Sequence, residues 1–211
     1  MLLACSRRKY HKKILVMQNK TITIVISSYK YGHLAAHCIE SILSQTVKPH
    51  KIFFVDYGVG DCKHLINIYP SVEFILRKKN LGTVENFQDM LNRVTTDYCM
   101  FIGADNWLRS DALELLLKQD GDVITYDIIV TGEIKDELLD GWSYKLKLYE
   151  GDFYWDREGG HHGSMLYNVK MGKKIGFKKY RDGHRYTTED LRLFNGLVEI
   201  GAKVTHIKEG L

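Results

Sequence analysis

Cysteine is sparse and scattered. Cys5, Cys38, Cys62 and Cys99 include no Cys-x-x-Cys pair and have no histidine at ligand spacing, which excludes a zinc finger or disulfide frame and reads as reduced cytosolic thiols. No apolar run is long enough to span a bilayer. The opening Met1-Leu2-Leu3-Ala4-Cys5 is too short for a secretory core, and its basic run from Arg7 to Lys13 follows the apolar residues instead of preceding them. A cytoplasmic location is the resulting expectation. Neither sign of charge is in large excess: the formal charge is +4 and the pI about 8.7. An anionic ligand is therefore compatible, but with no basic stripe interleaved with aromatics no nucleic-acid partner is expected. Low-complexity blocks are missing too. The loop after the first apolar run, residues 27–32, holds a single glycine, which argues against a nucleotidyltransferase and its Gly-rich phosphate loop.

What is present suits one sizeable core: 211 residues, 45% hydrophobic and 27% charged. We expect a basic arm over residues 1–20, solvated or meeting an anionic membrane or a nucleus-directed receptor, and one domain over 21–211. Thr21-Ile22-Thr23-Ile24-Val25-Ile26 reads as a strand buried on both faces, broken by Ser27-Ser28-Tyr29-Lys30-Tyr31-Gly32. Ala35, Cys38, Ile39, Ile42 and Leu43 recur at helical spacing, predicting a helix over 34–44, and Pro49 marks the return. Lys51-Ile52-Phe53-Phe54-Val55-Asp56 is a second strand, one that ends in a carboxylate. Asp61 in the turn beyond it would cap a following helix.

Val72-Glu73-Phe74-Ile75-Leu76 reads as a third strand. The Arg77-Lys78-Lys79 run after it suits a diphosphate or a solvated loop. Val84, Phe87, Met90, Leu91 and Val94 define the apolar face of a helix over 83–94. Tyr98-Cys99-Met100-Phe101-Ile102 is a fourth strand, and it delivers Asp105 on a Gly-led turn. Ligands of open α/β sheets bind beyond the carboxyl ends of strands, so Asp105 is either a hard oxygen ligand for Mg²⁺ or Mn²⁺ or the Asx cap of a turn. Residues 111–118 suggest a short helix and 123–126 another strand. The strand-helix alternation argues for right-handed crossovers and a mostly parallel sheet.

After about Thr131 the pattern becomes alternating, as in residues 144–149, and we read an antiparallel addition. Of His161 and His162, adjacent on a strand, at most one would enter a given site. Trp142, Tyr154 and Trp155 offer rings that stack on sugars, or pack in a core. Thr187-Thr188-Glu189-Asp190 opens a helix with apolar face Leu191, Phe194, Leu197 and Val198. Its acids complement the helix dipole, or Asp190 projects into a cleft as a catalytic base. Gly201 ends that helix, and residues 203–207 suggest a closing strand.

In order and spacing, residues 21–46, Val55-Asp56-Tyr57-Gly58, Asn80-Leu81-Gly82, Ala104-Asp105-Asn106 and Thr188-Glu189-Asp190 resemble the family 2 glycosyltransferases of the GT-A fold. The resemblance implies a Rossmann-like α/β fold with a nucleotide-sugar-binding half over 21–130 and an acceptor half over 131–211. It also implies metal-dependent, inverting transfer from a nucleotide diphosphate sugar, commonly a UDP-sugar, to a glycan or glycoprotein hydroxyl. Residue by residue, it implies Ser27, Tyr29, Asp56, Tyr57, Arg77 and Ala104 at the donor nucleotide, with Tyr29 stacking on the base. Asp105 and a late His206 would hold Mn²⁺ or Mg²⁺. Asp190 would be the base, and Glu189, Trp155 and His162 would contact the acceptor. Two departures stand out: Tyr57 replaces the second acid of the family's Asp-Asp-Gly-Ser turn, and Gly103 replaces the first acid of Asp-x-Asp. They leave open a donor-binding module without turnover, or the donor-binding part of a longer enzyme. A narrower resemblance, to chlorella-virus enzymes that glycosylate a capsid protein, implies a capsid glycan as acceptor.

Overall fold

The computed structural model describes residues 20–130, 153–155, 163–178 and 189–211. In chain order the elements are β1 (Ile22–Ser28), α1 (Ala35–Leu43), β2 (Lys51–Asp56), a 3-10 turn (Lys63–Leu65), β3 (Glu73–Leu76), α2 (Thr83–Arg93) and β4 (Tyr98–Gly103). There follow α3 (Ala112–Leu117), β5 (Val123–Val130), β6 (Phe153–Trp155), β7 (Met165–Asn168), α4 (Val169–Ile175), α5 (Glu189–Glu199) and β8 (Val204–Gly210).

The strands join in the order β3-β2-β1-β4-β7-β5-β6, with β8 pairing β5. The first four are parallel, β7 is antiparallel to both β4 and β5, β6 is antiparallel to β5, and β8 runs parallel to β5. The expected fold class is thus what the chain adopts: α/β, mostly parallel, with an antiparallel addition. Alternation along each central strand builds the two apolar layers. Ile24, Ile26, Ile52, Phe54, Met100 and Ile102 face α1 and α3, while Val25, Phe53, Val55, Cys99 and Phe101 face α2, α4 and α5. Each such side chain contributes roughly 1.5–3 kcal/mol by leaving water, and a one-residue slip would reverse every one of them, so the register is strongly specified. At the amino edge, Thr21 N and Oγ1 donate to Asp97 Oδ2 at 2.9 and 2.8 Å, tying the entry of β1 to that of β4.

Two expectations need correcting, and one strand was not foreseen. The chain beyond Asp61 makes a single 3-10 turn, and the Asp61 carboxylate serves the neighbouring loop instead of a helix start. The strand expected over 123–126 continues to Val130. And β7, four residues long, intervenes between β4 and β5, followed directly by α4, whose start is capped by Asn168 accepting from Met171 N at 3.2 Å. The strand expected over 144–149, together with Trp142, His161, His162, Thr187 and Thr188, lies outside the described residues. No helix among those described is long and apolar enough to cross a membrane.

Candidate active site

Register gathers the site. Ser27 stands opposite Val55 and Gly103, Ser28 opposite Asp56, and Asp56 opposite Leu76. The ladder then runs one step further: Tyr57 N donates to Ser28 O at 2.9 Å, Ala104 N to Ser27 O at 2.9 Å, and Arg77 N to Asp56 O at 3.0 Å. Ser27, Asp56, Tyr57, Arg77 and Ala104, expected from sequence at one ligand, are therefore neighbours along the carboxyl edge of the parallel strands. In open α/β sheets that edge is where ligands bind.

Asp56 is buried, and its carboxylate organises the turn that follows. Oδ1 accepts from Gly58 N at 2.9 Å and Val59 N at 2.8 Å, and Oδ2 accepts from Gly60 N at 2.7 Å. The turn needs its glycines, since Gly58 and Gly60 sit at φ of 88° and 80°. A β-carbon on Gly58 would come within 2.7 Å of the Lys79 carbonyl carbon, and one on Gly32 within 2.6 Å of Asp61 O. Gly32 N also donates to Asp61 Oδ2 at 3.0 Å. The loops after β1, β2 and β3 are thereby interlocked.

Asp56, Asp61 and Cys62 bring one ligand atom each to within 4.8 Å of one another, the geometry of a metal-binding group. Their chemistry does not suit one. Both Asp56 oxygens are committed to backbone N–H groups, and Asp61 accepts from Gly32 N and from Cys62 Sγ at 3.3 Å. Burial pushes the Cys62 thiol up to about 12, and its Sγ donates to Asp61 Oδ1. The group reads as the hydrogen-bonded seam between two loops.

Asp105 is the carboxylate with a different setting. It is exposed on the turn after β4, where Asn106 N donates to Gly103 O at 3.0 Å and Asn106 Nδ2 to Asp105 Oδ1 at 3.0 Å. Its charge, ahead of partial burial, raises the Tyr31 phenol, and it adds to the burial that raises the Cys38 thiol. An exposed carboxylate with one local hydrogen bond fits a hard divalent cation whose remaining ligands come from phosphate and water.

Arg77 is held from the side. Its Nε donates to Asn86 Oδ1 at 3.2 Å, and it pairs through Nη2 with Asp89, which also takes Arg93 Nε at 3.0 Å. Asn86 and Asp89 were not singled out from sequence. The available signal was a polar residue, Asn86, sitting within the buried face of α2. Tyr29 is 46% exposed at the loop rim with Lys30 Nζ 5.3 Å from its ring centre, and Lys30 is itself in the left-handed region at φ 67°.

The α5 start meets this edge through Tyr57. Glu189, Leu193 and Leu197 are the buried stripe of α5, with Leu193 and Leu197 in the same apolar cluster as Tyr57. Burial raises the Tyr57 phenol. The Ser27 hydroxyl lowers it, the Glu189 carboxylate raises it and Arg77 lowers it, so the phenol lies within electrostatic reach of both charged groups. Asp190 follows Glu189 on the partly exposed side.

The remaining candidates lie elsewhere. His206 is on β8, three strands across the sheet from β4, with Nδ1 2.8 Å from Thr125 Oγ1 and Nε2 3.0 Å from the buried Asp127. The structure does not bring it to Asp105. Trp155 is placed by its backbone on β6, paired with Ile128, and His162 is outside the described residues.

Solved structures share this architecture. S. aureus TarS residues 1–349 superpose with a TM-score of 0.65 at 12% identity, over 90% of this chain and 58% of that one. TarS has also been solved with UDP and with UDP-GlcNAc. The mannosyltransferase PcManGT of Pyrobaculum calidifontis, in complex with GDP-Man and Mn²⁺, gives 0.64 at 11% identity over 98% of this chain and 65% of its own. Identities this low show the fold alone. By sequence, the glycosyltransferase GlyA of Streptococcus pneumoniae serotype 4 is 24% identical over 179 residues, which is 82% of this chain but 23% of that protein. The chain thus spans under a quarter of that relative and rather more than half of TarS 1–349. Residues 23–176 match the sequence pattern described as glycosyl transferase family 2, and the chain belongs to that family.

Proposed function

We propose that this chain moves a sugar from a nucleotide diphosphate sugar, with UDP favoured as carrier, to a hydroxyl of a glycan or glycoprotein, inverting the anomeric centre. The observation that carries the reading is the register that lines up Ser27, Asp56, Tyr57, Arg77 and Ala104 along the carboxyl edge of the parallel strands, with Leu193 and Leu197 of α5 in the same apolar cluster as Tyr57. The TarS complexes with UDP and UDP-GlcNAc support a uridine donor, and the PcManGT complex with GDP-Man and Mn²⁺ supports metal dependence.

In this reading Tyr29, exposed at the rim, stacks on the base, and the Asp56 turn together with Ser27 and Ala104 forms the floor beneath the nucleotide. Arg77, whose guanidinium is held against α2 by Asn86 and Asp89, adds a fixed cation at the edge of the donor site. Asp105 is the residue that would hold Mn²⁺ or Mg²⁺ with the diphosphate. Such an ion supplies charge stabilisation to the leaving group. Asp190, partly exposed beside the buried Glu189, takes the acceptor proton as general base. Glu189, Trp155 and His162 serve the acceptor side, while His206 stays with Thr125 and Asp127 on β8 and takes no part at the ion. A capsid glycan as acceptor is supported by the sequence resemblance alone.

A donor-binding module without turnover is the second reading, favoured by Gly103 and Tyr57 standing where the family carries acids. Calorimetric titration with UDP and with GDP, each with and without Mn²⁺, tests the donor assignment. UDP should bind at least tenfold more tightly with Mn²⁺ present, and Asp105→Ala should abolish that difference. An unchanged Mn²⁺ effect in the variant removes Asp105 as ligand.

A further inference from the structure

We propose that Asp61 is a positioning residue for the donor base: with its neighbour Cys62 it clasps both ends of the loop that carries Tyr29, and so fixes that ring at the rim before the nucleotide arrives. This rests on the proposed stacking of Tyr29 on the base.

Two adjacent residues reach the two ends of one short loop. Cys62 Sγ shares a hydrogen bond with Ser28 Oγ, 3.5 Å away on the last residue of β1, and Asp61 Oδ2 accepts from Gly32 N at 3.0 Å. Cys62 Sγ also donates to Asp61 Oδ1 at 3.3 Å, so both carboxylate oxygens serve the clasp. Asp61 is placed in turn by Asp56, whose Oδ2 takes the N–H of the preceding Gly60 at 2.7 Å. Ser28, Gly32 and Cys62 are buried, whereas Tyr29, Lys30 and Tyr31 are exposed. The loop is thus pinned at its feet and open at its crest. A buried N–H needs an acceptor, and an ionised carboxylate is a strong one. Gly32 has no slack against it: a β-carbon there would lie 2.6 Å from Asp61 O and 2.8 Å from Asp61 Cγ. Beyond that foot Tyr31 O accepts from Leu34 N at 3.0 Å and Ala35 N at 3.1 Å, which carries the chain straight into α1. At the crest Lys30 holds φ 67°, a conformation that a lysine keeps only where its surroundings over-determine it, and its Nζ sits 5.3 Å from the centre of the Tyr29 ring. The backbone under Tyr29 is therefore ordered during folding, and nucleotide binding is spared that ordering cost.

The test uses the full chain, with UDP plus Mn²⁺ as the calorimetric probe, and compares wild type with Asp61→Ala, Asp61→Asn, Tyr29→Ala and the double variant of Tyr29→Ala and Asp61→Ala. Asp61→Ala should weaken UDP at least fivefold. Asp61→Asn, which keeps a carbonyl oxygen for Gly32 N, should stay within twofold of wild type. In the Tyr29→Ala background the Asp61→Ala change should cost no more than a further twofold, because no ring is left to position. Equal losses in the Asn and Ala variants, or an Asp61 effect undiminished without Tyr29, overturns the proposal, since charge or general stability would then be the cause. Asp61→Ser, whose hydroxyl is too short to reach Gly32 N, replaces the alanine variant if that one fails to fold. Amide hydrogen exchange at Gly32 reads the clasp with no ligand present. It should quicken at least tenfold in Asp61→Ala but not in Asp61→Asn, while α2 amides keep wild-type rates. Unchanged exchange in Asp61→Ala overturns the clasp whatever the affinities. A wild type that binds neither UDP nor GDP rejects the nucleotide reading and the positioning role with it, whereas quickened exchange in the same protein would still establish the clasp.

Discussion

The Asp105 side chain folds back over Gly103: a β-carbon on residue 103 would collide with Asp105 Oδ1 and lie 2.8 Å from Asn106 Nδ2. The absent acid of the family's metal motif and the orientation of the remaining one are therefore one feature. Because the obstruction is the tip of a flexible side chain, Gly103→Asp should be accommodated by Asp105 swinging outward. Stability should change by no more than about 1 kcal/mol. With two carboxylates on the turn, Mn²⁺ should bind at least tenfold more tightly in the absence of nucleotide, read by calorimetry. Unaltered affinity would place the ion elsewhere.

Gly58 is where two loops touch, at φ 88° and with the Lys79 backbone in the way of any side chain. Gly58→Ala should cost about 2–3 kcal/mol, combining left-handed strain with a backbone clash that no rotamer relieves. Urea denaturation measures it. A cost under about 0.5 kcal/mol would mean that the loops are not interlocked.

Asp56, itself buried, satisfies three backbone N–H groups of the turn that follows it. Asp56→Ala should destabilise by about 3 kcal/mol, and Asp56→Asn, which keeps one acceptor oxygen, by about half as much. Equal losses in the two variants would show that charge, not the count of acceptors, holds the turn. Thermal unfolding of both proteins decides it.

The acid limb of stability has identifiable sources. The Thr21 backbone N–H and then its hydroxyl hold the Asp97 carboxyl below its ordinary value. At Asp89, partial burial pushes upward, but hydrogen bonds from Arg77 and Arg93 outweigh it and the net direction is again down. A carboxylate depressed on folding contributes stability that is present above the unfolded value of ~3.9 and is lost as pH falls through the folded value. Asp97→Asn should therefore be less stable than wild type at neutral pH. The gap should close once the pH drops below the ordinary carboxylate range, as measured by denaturant titrations across that range.

Much of the site was legible because strands that end in carboxylates announce their own carboxyl edge. The apolar runs into Asp56 and Asp105 placed both residues beyond the parallel strands, and the periodicity of Ala35, Cys38, Ile39 and Ile42 placed α1. What sequence could not show depends on contacts between distant segments. Arg77 reads as a loop cation until α2 is seen to bring Asn86 and Asp89 against it. Asp61 reads as a helix cap, yet its carboxylate is claimed by Gly32. Met165-Leu166-Tyr167-Asn168 is too short for periodicity to distinguish strand from turn, and only its antiparallel pairing with β4 and β5 makes it a strand. Tyr57 looked like a departure from a motif, and only the fold shows it buried in the apolar cluster that also holds Leu193 and Leu197 of α5.

The most direct measurement is Mn²⁺-dependent release of UDP, with GDP as the control, from a panel of sugar nucleotides by the wild-type protein and by Asp190→Asn. Release by the wild type with the variant at least 10³-fold slower, both proteins binding the nucleotide equally, is the outcome expected if Asp190 is the base. Equal release by the two proteins, or tight nucleotide binding with no release by either, would contradict the account.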